Sequence, residues 1–164
     1  MTRRMETFRG VVYPAQCDAM GHLTIKEYMG FFDQAAWHCL LALGFHSDDI
    51  LKRRIGFADV RHVVEYKHEL LSGELVRAES EVLRVGGKSL TTRHELFNAA
   101  TRTLSATLEA VTVQYDLEKR QSVALFESSG RTVAAVAAEI DVHETVLRHW
   151  IDQLGASAKR PNAG

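Results

Sequence analysis

A chain of 164 residues, 46% of them hydrophobic, can bury one good core, and its length argues for a single main domain with a small appendage. Twenty Lys and Arg against twenty-one Asp and Glu leave a net charge of -1, so no global field recruits nucleic acid or an anionic membrane, and an anionic ligand must be met by a local patch. Cys17 and Cys39 are too few for a disulfide framework or a zinc site, no apolar run follows residues 1–9, and no segment reaches the roughly 18 apolar residues of a membrane span; the expected location is the cytoplasm, with no membrane partner.

In chain order, residues 7–13 are β-branched and aromatic enough for a first strand, which Pro14 ends. A loop over 15–23 follows. From Thr24 the period becomes helical: Lys26, Glu27, Gly30, Asp33, Gln34 and His38 form a narrow polar stripe, and apolar residues cover the rest of the circumference, so something must wrap this helix. Thr24 and Glu27 have capping-box spacing, and Gly44 suits the residue past the helix end. Residues 58–70 alternate with period two and predict a half-buried strand; 75–85, 88–98 and 102–115 predict three more, with a hairpin turn at Gly86-Gly87 and a bulge near Ala110 and Val111. One long helix then has to cover a sheet of about five antiparallel strands, and the α+β solution is a sheet curled around it. Residues 133–154 predict two short amphipathic helices broken near Asp141. The division is a main domain over 1–127 and a C-terminal helical segment over 128–164.

The chemistry gathers in the loop Gln16-Cys17-Asp18-Ala19-Met20-Gly21-His22, immediately before the helix. A helix N-terminus offers unpaired N–H groups and a positive dipole end that can polarise a carbonyl. One carboxylate beside such a site is enough machinery to hydrolyse a thioester. Held ionised and shielded from water, Asp18 is the residue on which this reading depends.

Cys17-Asp18-x-x-Gly21, followed by Tyr28 and by Phe32-Asp33-x-Ala35, resembles the 4-hydroxybenzoyl-CoA thioesterase group of the hotdog superfamily; Gly21-His22-Leu23 is similar to a variant common there. The likeness runs over residues 8–115. It implies an acyl-CoA thioesterase with Asp18 as nucleophile or general base and the Ile25 N–H polarising the thioester carbonyl. It implies a homodimer or dimer of dimers with active sites between protomers. Residues Val60, Arg61, His62 and Val63 would line the acyl site from the neighbouring subunit. Residues 86–89 resemble the hairpin that meets CoA, giving Gly87, Lys88 and Ser89 as substrate contacts and Arg84 and Lys88 as phosphate partners. CoA is then part of the substrate, and no cofactor is expected. Thr24-Ile25 departs from the Asn-Asn or aromatic-proline pair of many relatives, which leaves the acyl preference open.

Each residue also has a plainer role. His22 either orients Asp18 or is an ordinary loop histidine, and Tyr28, a possible substrate contact, reads first as core. Cys17 lacks a paired base and reads as packing. Asp33 reads as a solvated or interface residue rather than a second catalytic acid. His62 and His68 share a strand face without further ligands at metal spacing, so no metal site is expected. Residues 132–151 resemble a helix-turn-helix, but 128–164 carry four Lys or Arg against four Asp or Glu, which argues against nucleic acid as a partner and for helices packed on the main body. Two competing functions remain: a hotdog enoyl-CoA hydratase or dehydratase, whose Asp and His stand five apart around Asn-Pro where Asp18 and His22 stand four apart with no Pro, and a non-catalytic acyl-CoA-responsive DNA-binding regulator.

Overall fold

The computed structural model describes residues 4–116, except Ser47, Asp49, Leu51, Arg53 and Lys88, together with residues 121–122. Helix α1 (Ile25–Ala42) buries Tyr28, Phe31, Phe32, Ala35, Cys39 and Leu40, a stripe at three- and four-residue spacing. Thr24 is its N-cap, but the expected capping box does not form: the Thr24 side chain makes no cap bond, and the Glu27 carboxylate instead accepts from Gln16 Nε2 at 2.8 Å. The other end stops as expected. Gly44, at φ 92°, turns the chain out of the helix, with Phe45 N–H donating to the Leu40 carbonyl and Gly44 N–H to that of Leu41.

The strands are β1 (Met5–Val11), β2 (Ile55–Tyr66), β3 (Leu75–Val85), β4 (Ser89–Asn98), β5 (Leu104–Asp116) and a two-residue β6 (Gln121–Ser122) that the sequence pattern did not reveal. The five long strands form one antiparallel sheet in the order β1-β3-β4-β5-β2, with β6 on β5. Helix α1 lies across β1, β3 and β4, giving the hotdog arrangement. The predicted C-terminal helices and the 127/128 boundary fall outside the described residues.

Wrapping is less complete than the apolar circumference suggested. Ile25, Trp37 and Leu41 remain exposed along α1. Strand β2, at the end of the sheet, leaves Val60, Val63 and Tyr66 exposed as well.

The interior has two apolar clusters. Tyr28, Phe31, Phe32 and Ala35 meet Val76, Ala78, Leu96 and Leu108 under the first half of α1, while Cys39, Leu40 and Leu43 meet Val82, Val85 and Leu90 under the second. Between them, on the same sheet face, lies a belt of buried polar side chains. Thr7 Oγ1 and Ser80 Oγ are 2.6 Å apart, Ser80 Oγ and His94 Nδ1 2.6 Å, and His94 Nε2 and Thr92 Oγ1 2.9 Å. The chain of bonds satisfies groups that would otherwise be costly to bury. Burial pushes the His94 pKa down to about 4, so the ring is neutral in the folded chain.

Because the unfolded chain takes up that proton from about pH 6.5, stability is complete above that pH and is lost as pH falls through the folded value. Urea unfolding should show a loss on the order of 3 kcal/mol between pH 6.5 and 4. His94→Gln, which can keep both hydroxyl partners, should show a much flatter profile over that window.

Candidate active site

Asp18 opens a tight turn. Gly21 N–H donates to the Asp18 carbonyl at 3.0 Å, and Asp18 N–H donates to that of His22 at 2.9 Å. Gly21 carries φ 84°, which a side chain would strain. The Asp18 side chain locks the turn: Oδ1 accepts from Met20 N–H at 2.8 Å and from His22 N–H at 3.1 Å. Oδ2 makes no hydrogen bond to the described residues. The His22 and Met20 amides, with the His22 side chain nearby, hold the carboxyl below its usual range, so Asp18 is ionised at neutral pH. It is not shielded. Among the described residues of one protomer the side chain is exposed, which corrects the expectation of a dry carboxylate: the turn sits at the surface, and none of those residues covers it.

A bridge between Cys17 and Leu23 closes the turn just ahead of α1, and one between His22 and Leu71 ties it to the connection from β2 to β3. Gln16, which sequence reasoning passed over, is the main clamp. Its carbonyl accepts from Thr24 N–H at 3.0 Å, its Oε1 accepts from Tyr13 N–H at 2.9 Å, and its Nε2 donates to Glu27 at 2.8 Å. A glutamine eleven residues before its partner carries no local signal of this kind. Ile25 is the first helical residue, and among the described residues its N–H has no hydrogen-bond partner, so one free donor points out of the helix start.

The other predicted residues fall into groups. The His22 ring lies 3.3 Å from Glu69, so it is the His22 amide and not its ring that binds Asp18. Tyr28 is buried, donates to the His68 carbonyl at 3.3 Å and packs edge-on against Tyr66; burial raises its hydroxyl to about 12. It is a core residue. Cys17 Sγ lies 3.7 Å from the Tyr13 carbonyl, as packing material would.

Arg84, Gly87 and Ser89 are not brought to Asp18. The hairpin closes with Gly86 N–H on the Ser89 carbonyl at 2.5 Å, and its flanking Val85 and Leu90 pack on Leu40 and Leu43, at the far end of α1. The 18 residues of α1 put that end about 27 Å from the Asp18 turn. Lys88 lies outside the described residues.

Val60, Arg61, His62 and Val63 are exposed on edge strand β2, and a bulge decides how they point. Asp59 pairs with Thr112 and Arg61 with Val111, leaving Val60 as the extra residue. The irregularity expected near Val111 is present, with its additional residue on the partner strand. The bulge resets the side-chain alternation, so that Asp59 and His62, three apart, share the inner face. They bond there: Asp59 Oδ2 is 2.8 Å from His62 Nε2, and Asp59 Oδ1 accepts from Thr112 Oγ1 at 2.5 Å. His68 is tied separately, with Nδ1 2.8 Å from the Leu104 carbonyl.

Beside this pair a cavity of about 100 Å³ opens between the second half of α1 and the sheet. Trp37, Leu40, Phe57 and Leu90 supply apolar walls; Asp33, Asp59, Thr92, His94 and Thr112 supply polar groups. Of these polar residues the sequence reading had singled out Asp33 alone, as a solvated position.

The chain belongs to the thioesterase-like superfamily, that is, to the hotdog-fold thioesterases; the family model matches residues 12–151. The fold is shared with solved structures of low sequence identity. A CoA-bound hypothetical protein from Staphylococcus aureus is 15% identical, with a TM-score of 0.73 over 100% of this chain and 90% of that one. A 1,4-dihydroxy-2-naphthoyl-CoA thioesterase from Synechocystis is 13% identical, with a TM-score of 0.71 over 86% and 100%. A gentisyl-coenzyme A thioesterase is 22% identical, with a TM-score of 0.66 over 74% and 96%. Among curated protein sequences none matches. No helix among the described residues is long and apolar enough to cross a membrane.

The amides around Asp18 generate a direct expectation. A carbon-detected NMR titration should place the Asp18 carboxyl midpoint below 3.8, the ordinary value. A midpoint above it would mean that the turn is not closed in solution.

Proposed function

We propose that this chain hydrolyses an acyl- or aryl-CoA thioester to the free acid and CoA, at sites shared between two protomers. The observation that carries the reading is an ionised carboxylate with one free oxygen, on a turn fastened to a helix whose first N–H is unpaired. The thioester carbonyl would accept from Ile25 N–H, which stabilises the charge that develops on its oxygen. Asp18 Oδ2 then either attacks the carbonyl carbon, expelling CoA thiolate and leaving an anhydride that water cleaves, or takes a proton from water as that water attacks. Neither route asks for a metal or redox cofactor; CoA enters and leaves as part of the substrate.

Three observations support a shared site. The CoA-type hairpin and Asp18 stand at opposite ends of α1 within one chain. Among the described residues nothing gives Asp18 the cover that would strengthen its electrostatics. Strand β2 is a 12-residue edge with exposed Val60, Val63 and Tyr66, a surface that a second copy would pair and cover. Within such a dimer one protomer's Arg84, Gly87, Lys88 and Ser89 would meet the CoA of a thioester held at its neighbour's Asp18, with residues 60–63 beside the acyl group. A cytoplasmic setting, where acyl-CoA is plentiful, suits this activity.

Asp18→Asn should lower turnover of a competent acyl-CoA by about 10²- to 10⁴-fold, read with a thiol-trapping dye, while the circular dichroism spectrum and elution volume stay those of the parent. Near-normal turnover would refute the role of Asp18. Val63→Glu, which sets a charge on the β2 edge, should move the protein to monomer in sedimentation and remove activity with it. An active monomer would overturn the shared site.

A further inference from the structure

At the start of α1 a second carboxylate stands where it should oppose the chemistry above, and one side chain keeps it away. Glu27 is the third residue of the helix. A carboxylate at that position ordinarily folds back over the first turn, where the N-cap N–H donates to it and the positive end of the helix attracts it. Here that would set a negative charge beside Ile25 N–H, which has no hydrogen-bond partner among the described residues. Gln16 prevents it from two sides. Its carbonyl accepts from Thr24 N–H at 3.0 Å, the donor that Glu27 would reach for, and its Nε2 donates to Glu27 Oε2 at 2.8 Å. Tyr13 N–H donates to Gln16 Oε1 at 2.9 Å, so the amide is oriented with its NH2 toward Glu27. Lys26 Nζ lies 3.5 Å from the other Glu27 oxygen, but its side chain is 90% exposed, and a surface pair of that kind holds little.

We propose that Gln16 is a positioning residue for the hydrolysis: it latches the Glu27 carboxylate off the first turn of α1 and so keeps Ile25 N–H open for the thioester oxygen. The use of that donor rests on the hydrolase reading above; the latch itself does not. Charge develops on the carbonyl oxygen only as the attacking group bonds to carbon, so a carboxylate beside Ile25 N–H would oppose the transition state far more than the bound thioester. Loss of the latch therefore lowers kcat and leaves KM nearly unchanged. A residue that merely braced the loop would behave in the opposite way toward its partner. Removing Glu27 as well would then add damage, whereas with a latch it repairs it.

Gln16→Ala should lower kcat on a competent acyl-CoA by about 30- to 100-fold, with KM within about threefold of the parent. Adding Glu27→Ala removes the freed carboxylate and should bring kcat back to within about fivefold of the parent. The Ile25 amide gives a second readout that needs no turnover. In NMR spectra of the parent it should exchange rapidly with water; in Gln16→Ala it should shift downfield and exchange more slowly as the Glu27 carboxylate approaches, and in the double variant it should revert. Circular dichroism checks that each variant is folded. If Gln16→Ala is not, Gln16→Met, which keeps the length of the side chain and drops its donor, takes its place in both arms. Parental kcat in the folded single variant, a loss confined to KM, a double variant no more active than the single, or an Ile25 amide that does not respond overturns the proposal. A parent chain that hydrolyses no acyl-CoA, with the Ile25 amide responding as described, loses the hydrolase reading and keeps the latch.

Discussion

Helix α1 presents more apolar surface than one curled sheet can cover. Tyr28, Phe31, Phe32, Ala35, Cys39 and Leu40 are buried against the strands, and Ile25, Trp37 and Leu41 stay exposed. Burying the first set stabilises the chain by roughly 1.5–3 kcal/mol for each large side chain, enough to fix where α1 begins. That starting point positions the rest of the site: the free Ile25 N–H, the Gln16 clamp and the Asp18 turn are all measured from it. The exposed second set is the same constraint seen from outside.

Periodicity made the architecture legible. A 3.6-residue pattern over 24–43 and period-two runs after residue 55 gave the helix and the long strands, because burial on one face imposes those repeats directly on the side chains. The placement of Asp18 ahead of a helix that starts at Ile25 was legible for a related reason: it is a local arrangement. The Gly44 stop and the Gly86-Gly87 hairpin are local too, and the structure has both.

What was hidden is non-local. The Thr24–Glu27 pair has capping-box spacing, but Glu27 finds a better partner in Gln16, which approaches only once the loop has folded back. Asp59 and His62 stand three apart, a separation that puts strand residues on opposite faces unless a bulge intervenes, and the bulge belongs to the register between β2 and β5 rather than to either sequence alone. The His94 belt draws members from β1, β3 and β4. Exposure of Asp18 could not be read either, since shielding depends on what surrounds the turn and not on the turn.

The run from Thr7 through Ser80 and His94 to Thr92 has a property that a static picture hides. A neutral imidazole keeps one proton for two nitrogens. With that proton on Nδ1, His94 donates toward Ser80, and Thr92 spends its own hydrogen on Nε2 and shows lone pairs to the cavity. With the proton on Nε2, every bond in the run reverses, and Thr92 has a hydrogen to give. No heavy atom moves between the two tautomers, so one set of coordinates presents either a hydrogen or a lone pair at Thr92.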